Sequence, residues 1–204
     1  VCHAMEISIN EYLVSVYIWS VYTECLHGMP SKCPIRVAVP VNLRPYFNSI
    51  TTKNFFVMVS AEFHPTKETY TFAEVAEIVK ESLRSQINRE NLEKLFSYNV
   101  SNEKLLIARV VPLFLKNLAM KYVYTTSALA NTATITNIGN ISVTEEYRPY
   151  VEMFHAFLAM SKGQHLKGTI CSYGDTLVFS FSYDLVDASV QRGFFRKIAS
   201  DGIA

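Results

Sequence analysis

Three features predict an α/β protein with helices layered on a mixed β-sheet. Helical and strand-like segments are interspersed along the chain, which favours layering over segregation. Two helix starts carry a Ser or Thr followed three residues later by Glu. The chain closes, between Thr176 and Ser200, on an alternating strand, a tight turn and an amphipathic helix.

The elements follow in order. Ser8 and Glu11 form a capping-box pattern, in which each side chain can satisfy the other residue's backbone N–H. The helix they open is apolar nearly all round, runs to about His27 and stops at Gly28. Ile35 to Val41 reads as a strand, broken by Asn42 to Phe47. Asn54 to Phe63 reads as a second strand, apolar on both faces and therefore expected at the sheet centre. Thr71 and Glu74 form the second capping box. The stripe Phe72, Val75, Val79, Leu83 and Ile87 continues that helix toward Phe96. A third helix is expected from Asn102 to Tyr124, kinked or split by Pro112.

Thr132 to Thr136 is a strand ending at Asn137 to Asn140. Further strands are expected at Val151 to Met160 and His165 to Tyr173, with a hairpin turn at Gly174 and Asp175. On the closing strand Leu177, Phe179, Phe181 and Tyr183 share one face. Asp187 is the expected N-cap of the last helix, where Val190, Phe194, Phe195 and Ile198 form the apolar stripe.

Bulk properties narrow the function classes. Of the 204 residues 50% are hydrophobic and the net charge is +1, so a sizeable core is possible and a nucleic-acid or anionic-membrane footprint is absent. The apolar run Tyr12 to Thr23 is too short to span a bilayer. Cys2, Cys25, Cys33 and Cys171 show no metal spacing and no C-x-x-C, which suits reduced thiols in the cytoplasm. The five His are scattered without ligand spacing, so no metal site is expected. Val1 is not Met, and Cys2 to Glu6 reads as the continuation of a longer chain. A fragment lacking upstream sequence is the expectation.

The closing segment resembles one place in the CoA-dependent acyltransferases related to chloramphenicol acetyltransferase. Those proteins carry a strand, then His-His-x-x-x-Asp-Gly, then a helix. Here Ser182, Tyr183, Asp187 and Ala188 occupy the His, His, Asp and Gly positions. The family's second His is the general base. A tyrosine hydroxyl, whose reference pKa is about 10, does not serve as a base at neutral pH, so Tyr183 does not replace it. The pattern resembles the C-terminal half of the two-halved members: condensation domains, alcohol acetyltransferases and wax ester synthases. Other places agree in order. Ile7 to Leu13 is similar to the start of that half's first helix. Val39-Pro40-Val41-Asn42-Leu43-Arg44 is similar to the family's strand end, with Asn42 for Asp. Asn54 and Phe55 resemble the next strand's opening, with Lys53 where Gly is usual. Thr136 to Gly139 and Ser172 to Leu177 resemble a later strand end and hairpin of the alcohol acetyltransferases.

The resemblance implies a chloramphenicol acetyltransferase-like two-layer fold: one domain over residues 1–204, with helices packed on one face of a mixed sheet. It implies a C-terminal half that walls a tunnel and does not supply the base. An N-terminal half of the same protein would be its partner. Acyl-CoA or a carrier thioester would be a co-substrate, an alcohol or amine the acceptor, and no cofactor would be permanently bound. Without that half the exposed interface should self-associate. No catalytic residue is assigned to the segment itself.

Arg44, Asn137 and Ser172 are the tunnel candidates. Arg44 suits a CoA phosphate or an ion pair at the strand end. Asn137 suits an acyl carbonyl or a turn backbone. Ser172 suits the thioester or an ordinary strand position. Two other function classes stay open: a non-catalytic binding or scaffold module on the same fold, and a self-sufficient enzyme using His155 or a cysteine. His165, after Gly163 and Gln164, is expected in a solvated turn.

Overall fold

The computed structural model describes residues 1–104, 111–161 and 163–203. Helix α1 (Ile9–Glu24) is the centre of the helical layer. Both halves of its capping box form: Glu11 N–H donates to Ser8 Oγ at 3.2 Å, and Ser8 N–H donates to the Glu11 carboxylate at 2.7 Å. The expected all-round burial is observed, from Tyr12 through Ile18 and again at Ser20 to Tyr22. The polar members of this buried set are satisfied internally, with Ser15 and Ser20 donating to the carbonyls one turn back.

The sheet has five strands in the order β2-β1-β3-β4-β5. They are β1 (Ile35–Asn42), β2 (Phe56–Phe63), β3 (Ala133–Asn140), β4 (Leu166–Tyr173) and β5 (Thr176–Tyr183). The inner pairs β1/β3 and β3/β4 are parallel, and the outer pairs β1/β2 and β4/β5 antiparallel. The expected mixed sheet is therefore the one observed. Between β1 and β2 lies a single-turn helix, α2 (Arg44–Phe47), where a plain break was expected.

Helices α1, α3 (Phe72–Gln86) and α6 (Ser189–Ser200) cover one face. Beneath them Val37, Val39, Val57, Val59, Ile135 and Ile170 join the buried cluster of α1. Phe194 of α6 is completely buried and stacks on Phe179 and Phe181 of β5, at 4.4 and 5.1 Å between ring centroids. Gly168 of β4 permits this close packing, since a Cβ there would stand 2.6 Å from the Phe179 ring. At the last turn of α6, Asp201 accepts from Tyr12 Oη at 2.7 Å and from Lys197, locking the chain end onto α1.

Five expectations change. The strand Asn54 to Phe63 is not central: β2 is the sheet edge, with Val57, Val59, Ala61 and Phe63 buried while Phe56 and Met58 are 48% and 45% exposed. Apolar residues on its outer face hid the alternation. The helix from Thr71 stops at Gln86, and α4 (Arg89–Lys104) begins anew after Asn88, whose Oδ1 accepts from Asn91 N–H. The helix expected from Asn102 to Tyr124 is divided. Its start belongs to α4 and its end to α5 (Leu113–Leu129), which starts after Pro112, while residues 105–110 lie outside the described residues.

Val151 to Met160 forms no strand. It crosses β4 on the face away from α1 and is tied down by side chains. Cys171 Sγ donates to the Phe154 carbonyl, Lys167 Nζ donates to the Ala159 carbonyl, and the Phe154 ring packs on Tyr173. Lastly, the N-cap of α6 is Ala188, one residue after the expected Asp187. Asp187 still serves the helix start by accepting from Ser189 N–H and Oγ at 3.0 and 2.7 Å, and these bonds hold its carboxyl below the usual range.

Candidate functional site

The three tunnel candidates gather near the C-terminal ends of β1, β3 and β4. Asn137 lines three clefts, two of which also hold the other candidates. One, of about 400 Å³, runs between Arg44, Asn42, Phe55, Thr136 and Asn137. The other, of about 290 Å³, joins Asn137 to Ser172, Ser8 and Asn10. Arg44 and Ser172 therefore lie on opposite sides of Asn137.

The side chains of Arg44 and Asn137 are already engaged. Arg44 donates to the Thr51 carbonyl from Nε and Nη2 at 3.2 and 3.0 Å, to the Lys53 carbonyl at 2.8 Å and to Asn42 Oδ1 at 3.3 Å. It thus braces the loop before β2. Asn42, where the family has Asp, gives it a neutral partner. Asn137 Oδ1 accepts from Gly139 N–H at 2.7 Å, and Nδ2 donates to Asn10 Oδ1 at 2.6 Å. A β-bulge between Asn137 and Gly139 sets up this turn, and Gly139 tolerates its φ of 86° because it lacks a Cβ. Ser172 accepts Ile141 N–H at its carbonyl.

At the eroded motif, Tyr183 is paired across the sheet with Leu166 and half exposed, and Ser182 pairs with Lys167. Neither position can act as a base near neutral pH. His155 is exposed on the irregular 151–160 segment and lies in no strand. His165 is exposed as expected, with Nδ1 2.9 Å from Asp184 Oδ1. Among the described residues no group of three His, Cys, Asp or Glu could hold a metal ion. No helix there is long and apolar enough to cross a membrane.

A larger cavity lies on the sheet face opposite α1. It has about 640 Å³ and is lined by Ala38, Phe56, Met58, Leu95, Tyr98 and Tyr124, with Thr134, Ser161 and Gln164 at one end. Sequence reasoning missed this place. Its one visible signal was Lys167, a lone cation inside the apolar run of β4.

No family model matches this chain, and no curated protein does. Solved structures match it in fold. The epimerization domain from the third module of tyrocidine synthetase B superposes with a TM-score of 0.57 at 11% identity. That match covers 98% of this chain and 43% of that one. The nonribosomal peptide synthetase FmoA3 gives 0.57 at 16% identity, over 98% of this chain and 19% of that one. Polyketide synthase associated protein 5 from Mycobacterium tuberculosis gives 0.55 at 12% identity, over 97% and 47%. The chain therefore shares the α/β fold of these structures. It spans less than half the length of each of these structures.

Proposed function

We propose that this chain is the C-terminal half of an acyltransferase that moves an acyl group from a CoA or carrier thioester to an alcohol or amine. The observation that carries this reading is the strand–turn–helix from Thr176 to Ser200, which keeps the family's geometry but has Ser182 and Tyr183 at the His positions. The shared fold over a minor part of longer solved chains supports it. Within this reading, the motif variants resemble those of alcohol acetyltransferases.

On this reading the N-terminal half supplies His-His-x-x-x-Asp-Gly, and its second His removes the acceptor proton. The acceptor oxygen or nitrogen attacks the thioester carbonyl, and collapse of the tetrahedral adduct expels the thiol, which takes up the proton. This chain contributes walls. Asn137 and Ser172 border the thioester path, and Arg44 keeps the loop before β2 in place. The working compartment is the cytoplasm.

The test begins with the reading frame upstream of Val1. The protein comprising both halves should release free thiol from acetyl-CoA when an alcohol is added, and the segment of residues 1–204 alone should not. An upstream half without the His motif, or no thiol release by the complete protein, would sink the catalytic reading.

One observation favours a second reading, a non-catalytic binding or scaffold module. Helix α5 exposes Leu113, Phe114, Leu118 and Tyr122 by 67% or more, a surface suited to a protein partner. Ligand binding without turnover by the complete protein would select it.

A further inference from the structure

Lys167 lies in β4 and is only 7% exposed, yet its ammonium has no carboxylate within 4 Å among the described residues. Its neighbours are neutral acceptors: the Ala159 carbonyl at 2.8 Å and Ser161 Oγ. Burying a cation without a counter-charge is costly, and three N–H donors exceed these two acceptors.

The contact with Ser161 has a directional consequence. The ammonium can only donate, so Ser161 Oγ accepts, and its own hydroxyl hydrogen is left to donate elsewhere. Ser161 lines the 640 Å³ cavity beside Gln164 and Thr134. Thr134 Oγ1 donates to Gln164 Oε1 at 3.3 Å, which leaves the Gln164 amide N–H₂ as a second donor at the same end. Thr134 also pairs with Lys167 across the parallel ladder, so the buried charge sits directly beside this end. The remainder of the cavity is mostly apolar, with Phe56 and Met58 of β2, Leu95 of α4 and Tyr124 of α5, and carries one further amide, Asn131, whose Oδ1 already accepts from Ser60 Oγ at 2.9 Å. A cavity with one charge-assisted donor end and an apolar body selects an anionic amphiphile.

We propose that this cavity binds a monocarboxylate with an apolar chain. The carboxylate accepts from Ser161 and Gln164 and neutralises Lys167, while the chain lies along Phe56, Met58 and Leu95. A single compensating cation suits a monoanion better than a phosphate dianion. The proposal needs neither acyl transfer nor a second half.

The test uses the chain of residues 1–204 and two probes of equal length, decanoate and decanol, each below its aggregation concentration, in isothermal titration calorimetry. Wild type should prefer decanoate by about tenfold or more, the size of a charge-assisted hydrogen bond. Lys167→Met keeps the stem and removes the charge, and should abolish that preference while leaving decanol binding in place. Ser161→Ala, which leaves the lysine and the packing intact, should cut the preference several-fold. Met58→Glu, at the apolar end, should weaken both probes. Equal affinity of wild type for the two probes, binding of neither, or an undiminished preference in Ser161→Ala would overturn the proposal.

Discussion

The two faces of the sheet are built by different rules. On the face under α1, α3 and α6 side chains are buried in a continuous cluster with interlocking aromatic rings. On the other face the cover over β4 is an irregular segment held by hydrogen bonds from Lys167 and Cys171, α4 and α5 only border a cavity, and apolar residues of β2 and α5 stay in contact with solvent. The first arrangement stabilises by area removed from water. The second leaves apolar surface and a partly unsatisfied cation available for something else, which is how binding surfaces differ from cores.

Substitutions can break this contrast. The largest effect is expected for Phe194→Ala, which removes a fully buried ring from the Phe179–Phe181–Phe195 cluster and should cost about 3–5 kcal/mol in urea unfolding. Gly168→Val should cost about 1–3 kcal/mol by forcing the Phe179 ring aside.

Next comes the ion pair that links α1 to α3. Burial pushes the Glu11 carboxyl up, but Arg84 and Ser8 override it, so its pKa lies below the usual value. A depressed carboxyl stabilises the fold above its unfolded-state pKa, and that contribution is lost as pH falls below 4.5 and through the folded value. Arg84→Met should destabilise the fold at neutral pH in the same urea unfolding, and stability measured across an acid titration should then fall less steeply below pH 4.5. Thr71→Ala, which removes the second capping box, should cost about 1 kcal/mol by the same unfolding assay.

The smallest effect belongs to the other face. Met58→Ser should change stability by no more than about 0.5 kcal/mol, because the residue is 45% exposed. A cost near that of Phe194→Ala would show a second core there. Paired Leu118→Glu and Tyr122→Glu changes on α5 should leave the unfolding midpoint within the same range and reduce self-association in sedimentation velocity.

What could be read from the sequence divides along the same line. The capping boxes at Ser8 and Thr71, the β4–β5 hairpin and the α6 stripe are local signals, and the structure repeats them. The edge position of β2 was illegible because Phe56 and Met58 put apolar side chains where an edge ordinarily shows polar ones. The 151–160 segment alternates like a strand, yet its Phe154 and Ala159 carbonyls are met by side chains of β4 and not by a neighbouring strand. The positions of Arg44 and Asn137 at strand ends were legible; their partners were not. Thr51, Lys53 and Asn10 are brought to them by the fold and by no local spacing. Lys167 and Ser161 were missed for that reason too.

The place of β3 governs how this chain can be assembled. It pairs on one side with β1, whose Arg36 is 96 residues from Thr132, and on the other with β4. During synthesis α1, β1, β2 and α3 emerge well before it and can associate, through the Glu11–Arg84 pair among other contacts. Until β3 emerges, the side of β1 away from β2 offers unpaired N–H and C=O groups, a sticky edge that a finished molecule never shows. Closing so long a loop carries an entropic cost that must be met before the β1/β3 pairing rewards it. Mispairing between nascent copies should therefore concentrate in that interval, which ends when β3 covers the open edge of β1.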